Sequence, residues 1–253
     1  DNDQSRGLQK RGVERRSLDQ VIKVRDRVKK RYITLIRDAS QKIVNRETLA
    51  ISRQVEKILK DRSNPDFEDW LVSFYKEFPE YINKNLRAIL LSYAEAMQEV
   101  VSGEVGIDEI DFEDISDDAR DYIDGYIRQY IGSSRGQLLG LSQEKDLQAV
   151  QKRLEEWKEK KADKETSETT TGVMGFVARS VILGAGYALV WRNRSGKSCS
   201  LCKQLEGRTI KKKSQAFTDE NEEFKDDKGN AVTFRKTRYP GLHKDCQCVL
   251  VAE

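Results

Sequence analysis

Hydrophobic side chains along this chain recur mainly at intervals of three and four residues, the period of one helix face. Leu18, Val21, Ile22, Val28, Tyr32, Leu35, Ile36, Ala39 and Ile43 predict a long amphipathic helix with Ser17 as its N-cap. Asn45 reads as an interruption, and Leu49, Ile51, Val55, Ile58 and Leu59 as a second helix. The stretch Ser63–Asp66 stops that helix, because Pro65 biases Asn64 away from helical backbone. Phe67, Trp70, Leu71, Phe74, Tyr75 and Phe78 then form a dense aromatic stripe. At this spacing the stripe reads as packed core rather than as a platform for nucleic-acid bases. Pro79 is expected to bend or break the chain. Tyr81, Ile82, Leu86, Ile89, Leu90, Tyr93, Ala94 and Met97 continue on a third long helix, which Gly103 and Gly106 end.

The acidic stretch from Glu104 to Tyr126 reads as a loop followed by a helix capped by Ser116. Its carboxylates miss the glycine and glutamate offsets of a calcium loop. Tyr122, Ile123, Tyr126, Ile127 and Tyr130 are helical in spacing, and the glycines Gly132–Gly140 follow. Ser142 is the expected cap of the next helix. Leu147, Val150, Leu154 and Trp157 line one face of it; Val173, Phe176, Val177, Val181, Ile182 and Ala185 line another. Beyond it the chain turns short and irregular, with strand-like runs at Arg208–Lys213, Ala231–Lys236 and Cys246–Glu253. The reading is a mainly α, elongated fold with a small C-terminal α+β module. Residues 1–16, poor in apolar side chains, read as an arm.

Composition sharpens this picture in one respect. Charged residues make up 35% and hydrophobic residues 37%, too few apolar groups for a wide compact core, which favours long solvated helices. The net charge of +3 hides an asymmetry. Arg11 to Arg62 carries sixteen Lys/Arg against seven Asp/Glu; Glu104 to Asp124 carries ten Asp/Glu against one Arg. The basic end suits either DNA or a solvated helix face. No apolar run approaches the roughly 20 residues that cross a bilayer, and no secretory leader pattern stands at the start.

Chemistry concentrates near the C-terminus. All four cysteines and the only histidine lie between Ser198 and the end of the chain: Cys199, Cys202, His243, Cys246 and Cys248. The C-x2-C spacing is that of a zinc knuckle, whose two thiolates aim at one point about 2.3 Å away. The second stretch is H-x2-C-x-C, and in a strand Cys246 and Cys248 would face one side. Five donors compete for about four places on a structural zinc ion. The surplus donor is one of Cys246 and Cys248, or else His243 in a polar role beside the ion. Two disulfides would suit a secreted chain. A thioredoxin-like site would need a βαβ context that is absent. A deaminase pattern is missing, a phosphate loop is not formed by Ser195–Ser198, and a single histidine leaves little for nuclease chemistry. A zinc nuclease would need an open metal position beside Asp245 or Glu206.

Taken in order, Trp191, the polar run to Ser198, Cys199 and Cys202, Leu205-Glu206-Gly207, and the later Pro240 to Val251 resemble the phage head-morphogenesis family, the minor head proteins related to protein F of phage Mu. Upstream, Lys152 to Trp191 resembles the family's helix, with its threonine-glutamate-threonine core at Glu165–Thr170. The likeness covers about residues 135–253. It departs in lacking a proline in the first knuckle, in having Lys244 after the histidine, and in the charged insert Lys211–Arg238. With the arm (1–16) and the helical region (17–132) read from the residues themselves, the resemblance adds a minor-head-like domain (133–253). It implies a non-enzymatic virion protein at the portal or packaged genome, acting in head assembly or genome delivery. Its expected partners are portal or capsid protein, through which it would be oligomeric; the basic charge of residues 11–62, outside the likeness, adds DNA as an expected partner. It would reside in the virion head, and in host cytoplasm during assembly. The alternative reading is a zinc-dependent nuclease or toxin-like effector carried in the virion.

Overall fold

In the computed structural model the chain is described at residues 17–60, 67–107, 112–143, 147–194, 199–226, 228–233, 236–241, 243 and 245–253. The arm 1–16, the Ser63–Asp66 stop and the Ser195–Ser198 turn lie outside the described residues. Four long helices come first: α1 (Leu18–Lys60), α2 (Phe67–Glu104), α3 (Glu113–Gln143) and α4 (Leu147–Gly184). Then come β1 (Leu189–Arg192), the short α5 (Ser200–Leu205), β2 (Thr209–Ile210), β3 (Glu223–Lys225), β4 (Ala231–Thr233) and β5 (Val249–Ala252). The protein is mainly helical with a small C-terminal sheet region. The 43 residues of α1 rise about 65 Å.

Ser17 caps α1 as expected: its Oγ accepts from Gln20 N at 3.3 Å, while Gln20 Oε1 accepts from Ser17 N at 2.8 Å. Several expected breaks do not occur. Asn45 sits inside a continuous α1, its Oδ1 accepting from Gln41 Nε2 at 2.9 Å. Pro79 lies inside α2, where Phe78 stacks between Phe74 at 4.9 Å and Tyr81 at 5.9 Å and holds the two sides together. The glycines at 132, 136 and 140 lie within α3, so the 132/133 division falls mid-helix. Ser116 and Ser142 are not caps. Ser116 Oγ donates to Glu113 O inside α3, and Ser142, near the end of the same helix, donates to Leu139 O and Glu68 Oε1. In each case packing along a long apolar face outweighs a local preference of about 1 kcal/mol or, for Pro79, about 3 kcal/mol.

α1 packs on α2 and α4, α2 on α3 and α4, and α3 on α4. Contacts between opposite ends set the directions. Arg25 near the start of α1 meets Glu104 at the end of α2, and Glu68 at the start of α2 meets Ser142 near the end of α3. The result is an up-down-up-down bundle. At its centre Glu47, fully buried, accepts from Tyr75 Oη at 2.7 Å, Tyr130 Oη at 2.6 Å and Lys161 Nζ at 2.8 Å. Lys161 Nζ also donates to Ser134 Oγ at 2.6 Å and lies 3.7 Å from the centre of the Trp157 ring. All four helices thus contribute to one buried polar knot.

The second half of α4 is buried nearly all round, from Thr169 to Leu183. One side faces the bundle and the other carries the C-terminal chain. Gly241, at φ +104°, crosses α4 so closely that an added Cβ would stand 2.9 Å from Glu168 O and 3.1 Å from Gly172 N. The sheet order is β2-β1-β5, all antiparallel, and β3 pairs with β4 as a separate hairpin within the charged insert. β1 pairs with β5 in the register Val190↔Val251, Trp191↔Leu250 and Arg192↔Val249. Arg25 ties bundle to sheet. It is fully buried, pairs with Glu104 through two bonds of 3.0 and 2.5 Å, and donates to Leu250 O at 2.8 Å.

Candidate metal centre

Sheet register brings the two cysteine stretches together. Arg192 opposes Val249, so the chain leaving β1 and the chain entering β5 emerge side by side. Cys199 follows the first exit and N-caps α5, its Sγ accepting from Cys202 N at 3.4 Å. This places Cys202 one helical turn on, pointing inward and 1% exposed. The second stretch is a tight turn in which Cys246 N donates to His243 O at 3.2 Å and Asp245 takes φ +62°. α4 holds that turn: Ser167 Oγ accepts from Asp245 N at 3.0 Å and Thr171 Oγ1 donates to Cys246 O at 3.2 Å. Cys246 and Cys248 precede β5 rather than belonging to it, yet both are buried on the same side.

All five predicted donors lie close together, as two triads that share Cys202. His243 Nε2 stands 3.2 Å from both Cys199 Sγ and Cys202 Sγ. Cys202 Sγ is 3.9 Å from Cys246 Sγ, and Cys248 completes the second triad. A tetrahedral zinc ion sets sulfur–sulfur distances of about 3.8 Å and sulfur–nitrogen distances of about 3.6 Å. The contacts fall near those edges. The cysteines are not joined in disulfides.

Electrostatics point the same way. The three buried thiols compete for protons. The hydrogen bond from Cys202, then that from Cys248, pulls Cys246 well below the usual thiol range. The partner's share of the same bond, with burial, pushes Cys202 up. For Cys248 the Cys202 contact pulls down, but the bond to Cys246 and burial together push it up. Cys246 is thus the thiol set to lose its proton first, and a divalent cation would favour the thiolate at all three. Trp191 Nε1, buried and without a hydrogen bond of ordinary geometry, faces Cys248 and suits a thiolate acceptor there. Asn193 Oδ1 lies 3.1 Å from Cys248 Sγ. The residues present fit such an ion. Among the described residues the candidate metal groupings are these Cys/His triads alone, so the acidic stretch forms none there.

Sequence spacing located the donors but not the contacts of their supports: Ser167, Trp191 and Asn193 fall within stretches that the sequence singled out, without a link to the thiols, and Thr171 carried no signal of its own. Glu206, a possible carboxylate beside the ion, is engaged elsewhere: its Oε2 accepts from Asn193 N at 2.5 Å and Oε1 from Arg192 at 3.3 Å. Asp245 is exposed. Comparison with models of known families, with curated proteins and with solved structures finds no match.

Proposed function

We propose that the chain is a minor structural protein of a phage head, allied to the head-morphogenesis family, that docks at the portal or packaged genome. One observation carries this reading. The elements of the family pattern, scattered from Trp191 to Cys248, converge on one centre braced by the helix that bears the Glu165–Thr170 motif. Cys202, with three of Cys199, His243, Cys246 and Cys248, would hold a structural zinc ion. Bound there, the ion supplies cross-linking of two loops rather than catalysis.

The exposed face of α1 supports a place near DNA. Lys23, Arg27, Lys30, Arg31, Arg37, Lys42, Arg46, Arg53, Lys57 and Lys60 are exposed, against the acids Asp19, Asp38 and Glu56. They run about 55 Å along the helix, a stripe suited to a phosphate backbone. The aromatic stripe of α2, by contrast, supplies core. Among the described residues no helix is long and apolar enough to cross a membrane.

The test is the content of purified heads, full and empty, measured by quantitative mass spectrometry. A few copies in both kinds of head mean portal association; copies in full heads alone mean genome association. Absence from both overturns the reading.

A further inference from the structure

A cavity of about 280 Å³ opens between α3, α4 and the crossing segment 239–241. None of the five donors of the thiol centre lines it. Its walls are tyrosine rings held in place by packing. Tyr122 stacks on Phe176 at 5.1 Å and meets Tyr239 edge-on at 5.3 Å, and Tyr126 leans on Tyr130. Exposed Gln129 and Ser133 form part of the rim.

Two carboxylates one helical turn apart line it. Glu165 Oε2 accepts from Tyr126 Oη at 3.0 Å. Glu168 has a cation only at 3.9 Å, the Nζ of half-exposed Lys164. Burial raises the carboxyls of both residues, against the opposing pull of Lys161 and Lys164 on Glu165 and of Lys164 and His243 on Glu168. Thr169 supplies an independent sign. It lines the cavity at 1% exposure, and its Oγ1, beside the Tyr126 hydroxyl, makes no hydrogen bond of ordinary geometry.

We propose that this cleft receives an arginine side chain of a partner protein. A guanidinium is planar, so it lies against tyrosine faces, and its fork of N–H donors meets carboxylates and a hydroxyl together. The volume falls just under the roughly 300 Å³ at which pockets for drug-sized ligands begin, which suits one side chain rather than a cofactor. The inference stands independently of the phage-head reading, because it uses none of the family pattern's metal chemistry.

The probe is a blocked arginine amide, titrated into the whole protein and followed by amide NMR shifts. A ligand of this size is limited to a Kd on the order of 1 mM. Shifts are expected along residues 122–133 and 164–172. Blocked citrulline, the neutral isostere, should bind at least about tenfold more weakly, the loss of a charge-assisted contact. Glu168→Gln should weaken arginine at least about fivefold, while Glu99→Gln, on an exposed face of α2, should leave it unchanged. Equal binding of citrulline, shifts confined to other surfaces, or no saturable shift overturns the proposal. If blocked lysine binds as tightly as arginine, the guanidinium is not what the cleft reads, and the proposal also falls. Unchanged amide spectra of the free variants show that they remain folded.

Discussion

The bundle and the C-terminal region hold themselves together by different means. In the bundle, Ile36, Ile51, Leu71, Ile82, Leu90, Met97 and many more aliphatic groups disappear from solvent along four faces. Each contributes about 1.5–3 kcal/mol relative to exposure. The C-terminal region has strands of two to four residues and a few large buried side chains, chiefly Trp191, Phe217, Phe224 and Leu250. Where the bundle has aliphatic layers, this region has three buried thiols and a histidine. Long helices can bury enough surface to order themselves; for the small irregular sheet, the proposed metal cross-link would take that part. Both regions nevertheless share one contiguous core, through α4 and Arg25.

The sharpest way to separate them is to remove the proposed cross-link. Cys202→Ser takes away the donor common to both triads. Bound zinc, read by elemental analysis, should fall from about one ion per chain to near zero. Hydrogen exchange should show β1, β2 and β5 opening while the protection of α2 and α3 persists. Cys199→Ser or Cys248→Ser should reduce affinity and leave measurable zinc, because five donors serve four places. Full zinc retention in Cys202→Ser would end the cross-link account, and loss of bundle protection alongside the strands would erase the contrast.

Next in size are the two buried ionic groups. Arg25→Met leaves Glu104 buried without its cation and also severs the bond to Leu250, so it should destabilise by about 3–5 kcal/mol. Glu47→Ala strands Lys161 and two tyrosine hydroxyls within the bundle alone, at a similar cost of about 3–5 kcal/mol. Chemical denaturation compares their totals; exchange shows where each acts. Arg25→Met should loosen β5, and Glu47→Ala should not. Identical exchange patterns would mean that the two regions unfold as one.

The smallest effect expected is on pH. Burial pushes the Glu168 carboxyl up to about 7 and raises Glu165 as well. Between the ordinary carboxylate range and pH 7 the folded protein therefore holds protons that the unfolded chain has released. Stability present at low pH is lost as pH rises through that window. The double variant Glu165→Gln/Glu168→Gln should flatten the decline in denaturation midpoint from pH 4.5 to 7.5. A slope unchanged by the variant would show that other groups set it.

Helical periodicity and the clustering of five soft donors were legible in the residues themselves, since each rests on spacing along one chain. The run of apolar positions from Leu18 to Leu59 already described one helix face, although Asn45 suggested a gap. The donor pattern likewise named its residues without their geometry. Local breakers misled because their cost is small and fixed, whereas the packing that overrides it comes from distant helices. Arg25, Glu47 and Lys161 carried no signal of burial, because their partners lie 79 to 225, 28 to 114 and 27 to 114 residues away. Nor could spacing say that Cys202 stands between the two triads, or that α4 clamps the second turn. Those arrangements depend on which surfaces meet, and only the folded chain brings them together.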